Sequence, residues 1–75
     1  MWIEQDNSLR QEFTFPDFAA ALAFVNQVGA LAEKANHHPD IELGWGRVVM
    51  SLQTHEAGGV TVKDKELAAQ IDAIG

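Results

Sequence analysis

Leu9, Gln11, Phe13 and Phe15 fall on one face of an extended chain and Arg10, Glu12 and Thr14 on the other, so Ser8 to Phe15 predicts a half-buried strand. Trp2 to Gln5 predicts a shorter strand before it, with Asp6-Asn7 as the turn of a hairpin. Pro16 stops the strand pattern, and Asp17 can accept bonds from the first free N–H groups of a helix. The apolar period then lengthens. Phe18, Ala21, Leu22, Val25, Val28 and Ala32 form one helical stripe, flanked by Phe24 and Leu31, with Asn26, Gln27, Glu33 and Lys34 mostly opposite. So wide an apolar face predicts a helix laid across a sheet. Gly29 lies inside the stripe, where glycine costs roughly 1 kcal/mol relative to alanine. Because the period continues through Ala32, Gly29 is read as a point where the helix backbone closely approaches the sheet or another helix. The helix should end at about Lys34 or Ala35.

Pro39 disfavours further helix and biases His38 toward an extended backbone. Ile41 to Trp45 then reads as a third strand and Arg47 to Gln53 as a fourth, with Gly46 near the turn. Val48, Met50 and Leu52 should face the helices; Arg47, Val49, Ser51 and Gln53 should face away. Thr54 to Gly59 is a loop. Thr61 and Asp64 have the spacing of a capping box, with Asp in place of the usual Glu, and they open a last helix whose buried stripe is Leu67, Ala68, Ile71 and Ile74. The order is β-β-α-β-β-α, an α+β fold in two layers: a four-stranded antiparallel sheet with two helices on one face, residues 1–75 forming a single domain.

Composition narrows the partners. Eleven acidic against five basic residues give a net charge of −6, a field that repels phosphate backbones and anionic headgroups. Direct nucleic-acid or membrane binding is therefore not expected, and a small neutral or cationic ligand fits better. With no cysteine there is neither a disulfide framework nor a thiolate metal site, as in a reducing compartment. The first residues lack the pattern of a signal peptide and no run is apolar enough to span a bilayer, so the expected location is cytoplasmic.

Candidate chemistry gathers around three histidines. His37 and His38 are adjacent at the predicted helix end, and His55 follows the fourth strand, so two element ends can deliver imidazoles to one site. Histidine suits proton transfer because its ordinary pKa of about 6.5 leaves acid and base forms populated near neutrality. Each residue also has a plainer role. A His-Pro pair serves as a polar stop after a helix, Asp64 as a carboxylate favourable to a helix start, Trp45 as sheet packing and Glu33 as a solvated helix residue. The histidines and Asp64 could also bind Zn²⁺ or another divalent ion, although adjacent histidines converge on one ion less readily than an i, i+4 helical pair.

The series Glu33-x3-His37-His38-Pro39-x5-Trp45-x9-His55-x8-Asp64 resembles the signature of the pterin-4a-carbinolamine dehydratases. The likeness extends to Trp2, to Phe13-Thr14-Phe15, to Thr54-His55-Glu56 with Gly58-Gly59-Val60-Thr61, and to Asp64-Lys65-Glu66-Leu67-Ala68. The resemblance implies a hydro-lyase of tetrahydropterin recycling that dehydrates 4a-hydroxytetrahydropterin to quinonoid dihydropterin without a cofactor or metal. It further implies His37, His38, His55 and Asp64 as the catalytic group, with Glu33, His38, Pro39, Trp45 and Thr54 around the substrate. As partners it implies a second or further copies of the chain, as a homodimer or homotetramer, and a functional link to an aromatic amino acid hydroxylase. An alternative from the same resemblance is a dimerisation cofactor of another protein. Family members commonly carry a helix before the first strand, and this sequence starts at the strand itself, a departure that bears on packing between subunits more than on chemistry.

Overall fold

The computed structural model describes residues 1–74; Gly75 lies outside them. Strands β1 (Ile3–Gln5), β2 (Ser8–Thr14), β3 (Asp40–Leu43) and β4 (Arg47–Leu52) pair antiparallel in the order β1-β2-β4-β3. Helices α1 (Phe18–Ala35) and α2 (Val62–Ile74) complete the α+β arrangement, and His55–Ala57 forms one 3₁₀ turn. The first hairpin turns on Asp6 and Asn7, both at positive φ, which the short polar side chains of Asp and Asn tolerate and which a two-residue connection between twisted strands favours. Among the described residues no helix is long and apolar enough to cross a membrane.

The two central strands carry the core. Leu9 pairs with Leu52, Gln11 with Met50 and Phe13 with Val48, which puts one apolar row under the helices. Met50, Leu52 and Val48 are fully buried, as are Val28 of α1 and Leu67 and Ile71 of α2. Val49 points to the opposite face, as expected, yet it too is buried, flanked in register by Glu12 and Glu42. The stems of such side chains cover apolar surface while their charges stay in water.

Helix α1 is rotated from the expected stripe. It buries Ala21, Phe24, Val28 and Ala32, while Phe18 and Leu22 stay exposed at 44% and 40%. The reason is aromatic packing: the Phe24 ring lies 4.8 Å from Phe13 and 5.1 Å from Phe15, and Trp2 meets Phe13 edge-on at 5.9 Å. A ring able to bury its whole area between two others outweighs full burial of Phe18 and Leu22. Asp17 caps the helix as expected, its carboxylate accepting from the Ala20 N–H at 2.8 Å.

The glycine reading is also corrected. A Cβ on Gly29 would meet nothing within 4 Å, so no close approach demands glycine there. Gly46 is the tight position: a Cβ would sit 2.6 Å from the Phe15 carbonyl oxygen, and the Phe15 N–H donates to the Gly46 carbonyl at 2.8 Å. Strand β3 begins at Asp40 and ends at Leu43, short of the expected Trp45. That tryptophan is 70% exposed in the turn, where the Gly44 N–H and the Arg47 carbonyl close the connection at 2.7 Å.

Phe24→Ala should lower stability by about 3–5 kcal/mol in urea denaturation, since it opens a cavity beside the rings of Phe13 and Phe15. Phe18→Ala, on the same helix but half in solvent, should cost below about 1 kcal/mol. Equal losses from the two would contradict the observed register.

Candidate active site

The end of α1 sets the position of His37. Asn36 takes the left-handed conformation at φ 51°, its N–H donates to the Glu33 carbonyl at 3.2 Å, and the His37 N–H reaches back to the Ala32 carbonyl at 3.1 Å. These two bonds make a Schellman motif, with asparagine where glycine is commoner. The motif reverses the chain within one residue. His37 is thereby turned back toward α2, and its ring is 14% exposed.

Asp64 stands at the other side of that ring. It lies in the first turn of α2, where the free N–H groups favour a negative charge, and its side chain has no solvent exposure. His37 Nε2 is 2.5 Å from Asp64 Oδ1. The opposite oxygen, Oδ2, accepts from the Thr54 hydroxyl and from the Thr61 N–H, both at 2.8 Å. The Thr61 bond is one half of the expected capping box; the Thr61 hydroxyl instead contacts the Thr54 hydroxyl at 2.7 Å. Burial by itself would push the Asp64 carboxyl up. The hydrogen bonds from His37, the Thr61 amide and the Thr54 hydroxyl, with the attraction of a charged His37 ring, outweigh burial and hold it below the ordinary carboxylate value.

His37, His38 and His55 all line one open cleft of about 360 Å³, at the lower end of the range of small-molecule sites. His37, His38 and Pro39 form one wall, and Gln53, His55 and Glu56 the other. The adjacent histidines thus enter from the turn after α1, and His55 enters from the 3₁₀ turn after β4. His38 lies half in solvent, paired with the exposed Glu33 carboxylate. His55 is exposed in a turn closed by Gly58 at φ 70°, whose N–H donates to the His55 carbonyl.

Among the residues expected around the substrate, His38 and Pro39 line the cleft and the other three do not: Glu33 pairs with His38 at the rim. Thr54 is buried behind Asp64 with its hydroxyl turned to that carboxylate, and Trp45 is not part of the cleft wall. Sequence reasoning missed Gln53, Glu56 and the left-handed Asn36. Asn36 alone carried a readable signal, a residue tolerant of positive φ at a helix end. Among the described residues, no three His, Asp or Glu side chains are grouped so as to hold a metal ion.

Fold and cleft together define a small α+β protein in which three imidazoles open onto one surface and one of them is backed by a buried carboxylate. The family model described as pterin 4 alpha carbinolamine dehydratase matches residues 1–74. A protein of Roseiflexus castenholzii named "Putative pterin-4-alpha-carbinolamine dehydratase" is 55% identical over 73 residues, covering 97% of this chain and 78% of that protein. A similarly named protein of Thermosynechococcus vestitus is 47% identical over 70 residues, covering 93% and 74%. Among solved structures, a transcriptional coactivator/pterin dehydratase from Brucella melitensis superposes with a TM-score of 0.92 at 36% identity, over 97% of this chain and 80% of the other. A pterin dehydratase-like protein described as a RuBisCO assembly factor in the alpha-carboxysome gives 0.83 at 29% identity, over 96% and 86%. The chain belongs to the pterin-4a-carbinolamine dehydratase family.

The Asp64 network has a pH signature. Its folded-state pKa lies below the unfolded value of about 3.9, so its contribution to stability is present above that value and is lost as pH falls through the lower, folded one. Asp64→Asn should cost about 2–3 kcal/mol at pH 7, as a charge-assisted bond and its geometry are lost. Urea titrations from pH 7 to pH 2 should then show the difference between wild type and variant shrinking below about pH 4. A difference constant across that range would mean that the carboxylate charge contributes nothing.

Proposed function

We propose that this protein dehydrates 4a-hydroxytetrahydropterin to quinonoid dihydropterin, in tetrahydropterin recycling, by histidine acid–base catalysis. The observation that carries the reading is the convergence of His37, His38 and His55 on one cleft with Asp64 buried behind His37. Family membership supports a pterin as the substrate class. Hydroxide is a poor leaving group, so an acid protonates the departing oxygen as the bond to the 4a carbon breaks. A base takes the proton from the adjacent ring nitrogen, and the new carbon–nitrogen double bond replaces the carbon–oxygen bond. Water leaves, and no electrons are gained or lost.

The roles divide by environment. His37 is tied to an ionised carboxylate, an arrangement that orients an imidazole and stabilises it when charged. His38 and His55 reach solvent and can exchange protons with it between turnovers. Glu33 orients His38 at the rim, and Pro39 offers an apolar edge to a flat heterocycle. The four-stranded sheet ends in two edge strands, β1 and β3, with free backbone groups, which supports association as a homodimer or homotetramer. Sedimentation at high concentration should detect the oligomer; monomer alone would contradict it.

A second reading, a binding role toward another protein, is supported by the solved relative described as a RuBisCO assembly factor. A dehydration assay with freshly generated 4a-hydroxytetrahydropterin separates the two. Turnover above the spontaneous rate is expected, and its absence would favour the binding role. His55→Ala should reduce the catalysed rate about 10²- to 10⁴-fold with an unchanged circular dichroism spectrum. Near wild-type turnover in that variant would remove His55 from the mechanism.

A further inference from the structure

The hydroxyls of Thr61, Thr54 and the carboxylate of Asp64 form an uninterrupted line, 2.7 Å from Thr61 Oγ1 to Thr54 Oγ1 and 2.8 Å from there to Asp64 Oδ2. The direction of each bond follows from the inventory of protons. An ionised carboxylate only accepts, so the Thr54 hydroxyl donates to Asp64. That hydroxyl has a single hydrogen, so toward Thr61 it can only accept, and the Thr61 hydroxyl is the donor. Thr61 thus serves Asp64 twice, through its N–H on Oδ2 and through its hydroxyl on Thr54. Two protein donors occupy Oδ2, and Oδ1 is left to face His37 Nε2. Thr54 is 5% exposed, so its hydroxyl is largely shielded from solvent.

We propose that Thr54 and Thr61 are positioning residues that pin the Asp64 carboxylate in one orientation and thereby hold neutral His37 as the tautomer with hydrogen on Nε2. Nδ1 is then the ring atom free to take up or release a proton. The inference extends the dehydratase reading, because a free Nδ1 is what a proton-transfer step at this residue requires. It assigns Thr54 a place behind the site instead of at the substrate. It also gives Thr61, at first sight only a helix cap, a part in the chemistry.

Both hydroxyls also set how strongly the pair holds a shared proton. Each donor spreads the negative charge of the carboxylate, and removing one concentrates it, so the proton between Asp64 and His37 is held more tightly. The other charged or titratable groups beside His37 are Lys63 and Glu66 of α2, on one side, and His38, Asp40, His55 and Glu56 along the cleft. The bonds to Asp64 come from His37, Thr54 and Thr61 and from none of those six. A change made at the threonines alone therefore reads the threonine chain.

The test is a ¹⁵N NMR titration of the His37 ring in the full chain, comparing wild type with Thr54→Val, Thr61→Val and Thr61→Ser. Valine keeps the branched shape and the backbone N–H and removes only the hydroxyl. Neutral wild-type His37 should carry its hydrogen on Nε2. Thr54→Val should raise the midpoint of the His37 titration by about 0.5–1 pH unit, the scale of one hydrogen bond to a charged group. Thr61→Val should move it less in the same direction, and Thr61→Ser should restore the wild-type curve. Wild-type tautomer and titration in both valine variants would overturn the proposal, whatever their melting temperatures, because a packing role alone moves only the melting temperature. If Thr54→Val fails to fold, Thr61→Val at its half-buried position decides alone. The readout needs no turnover, so a protein with the expected shifts and no dehydration would lose the dehydratase reading and keep the threonine chain. Dehydration without the shifts would do the reverse.

Discussion

A carboxylate with no access to water is the constraint on which this small structure turns. Leaving Asp64 charged in that position without partners would cost several kcal/mol, and protonating it would leave His37 without a charged anchor. The fold meets the constraint from three elements at once. The end of α1 supplies His37, the residue after β4 supplies Thr54, and the start of α2 supplies Asp64 with the Thr61 amide and the partial positive charge of its own first turn. Holding the two helices and the sheet in register is therefore the same task as satisfying one side chain. Among the described residues the buried polar side chains all find partners, as such a network requires if it is to stabilise.

The cleft grows from the same meeting point. Its two walls are short turns, one after α1 and one after β4, and both are fixed by residues in the left-handed conformation, Asn36 and Gly58. A turn so fixed holds its side chains in place without burying them, which lets His38 and His55 remain open to solvent while His37 is held. One held imidazole beside two accessible ones is the arrangement on which the proposed acid–base reading rests. The aromatic cluster of Trp2, Phe13, Phe15 and Phe24 packs the hairpin and α1 together and so fixes the angle at which α1 delivers its last turn.

Where the sequence could be read and where it could not follows a physical division. Alternation along Ser8 to Phe15, the cap at Asp17, the stop at Pro39 and the Thr61–Asp64 spacing are local signals, and each element they predict is present within a residue or two. The resemblance in Glu33, His37, His38, Pro39, His55 and Asp64 marked the family, since spacing along the chain survives any uncertainty about packing.

Tertiary structure decided what depends on a neighbour distant in the chain. Phe18 and Phe24 are both plausible core residues by period, and only the rings of Phe13 and Phe15 make Phe24 the buried one. Gly29 and Gly46 look alike in sequence, but the Phe15 carbonyl lies against Gly46 alone. Trp45 sits in a signature spacing, but a turn carries it into solvent. Asp64 shows the division within one residue: its place in the first turn of a helix is a matter of three residues of spacing, whereas its bond to His37 spans 27 positions and exists because two helix ends are brought together by the sheet beneath them. Local propensity and periodicity act over a few residues, so the sequence by itself determined the elements, their order and the family. Which side chains are buried, and which polar groups meet, depends on long-range packing and on the need of each buried charge for a partner, and those only the folded structure decided.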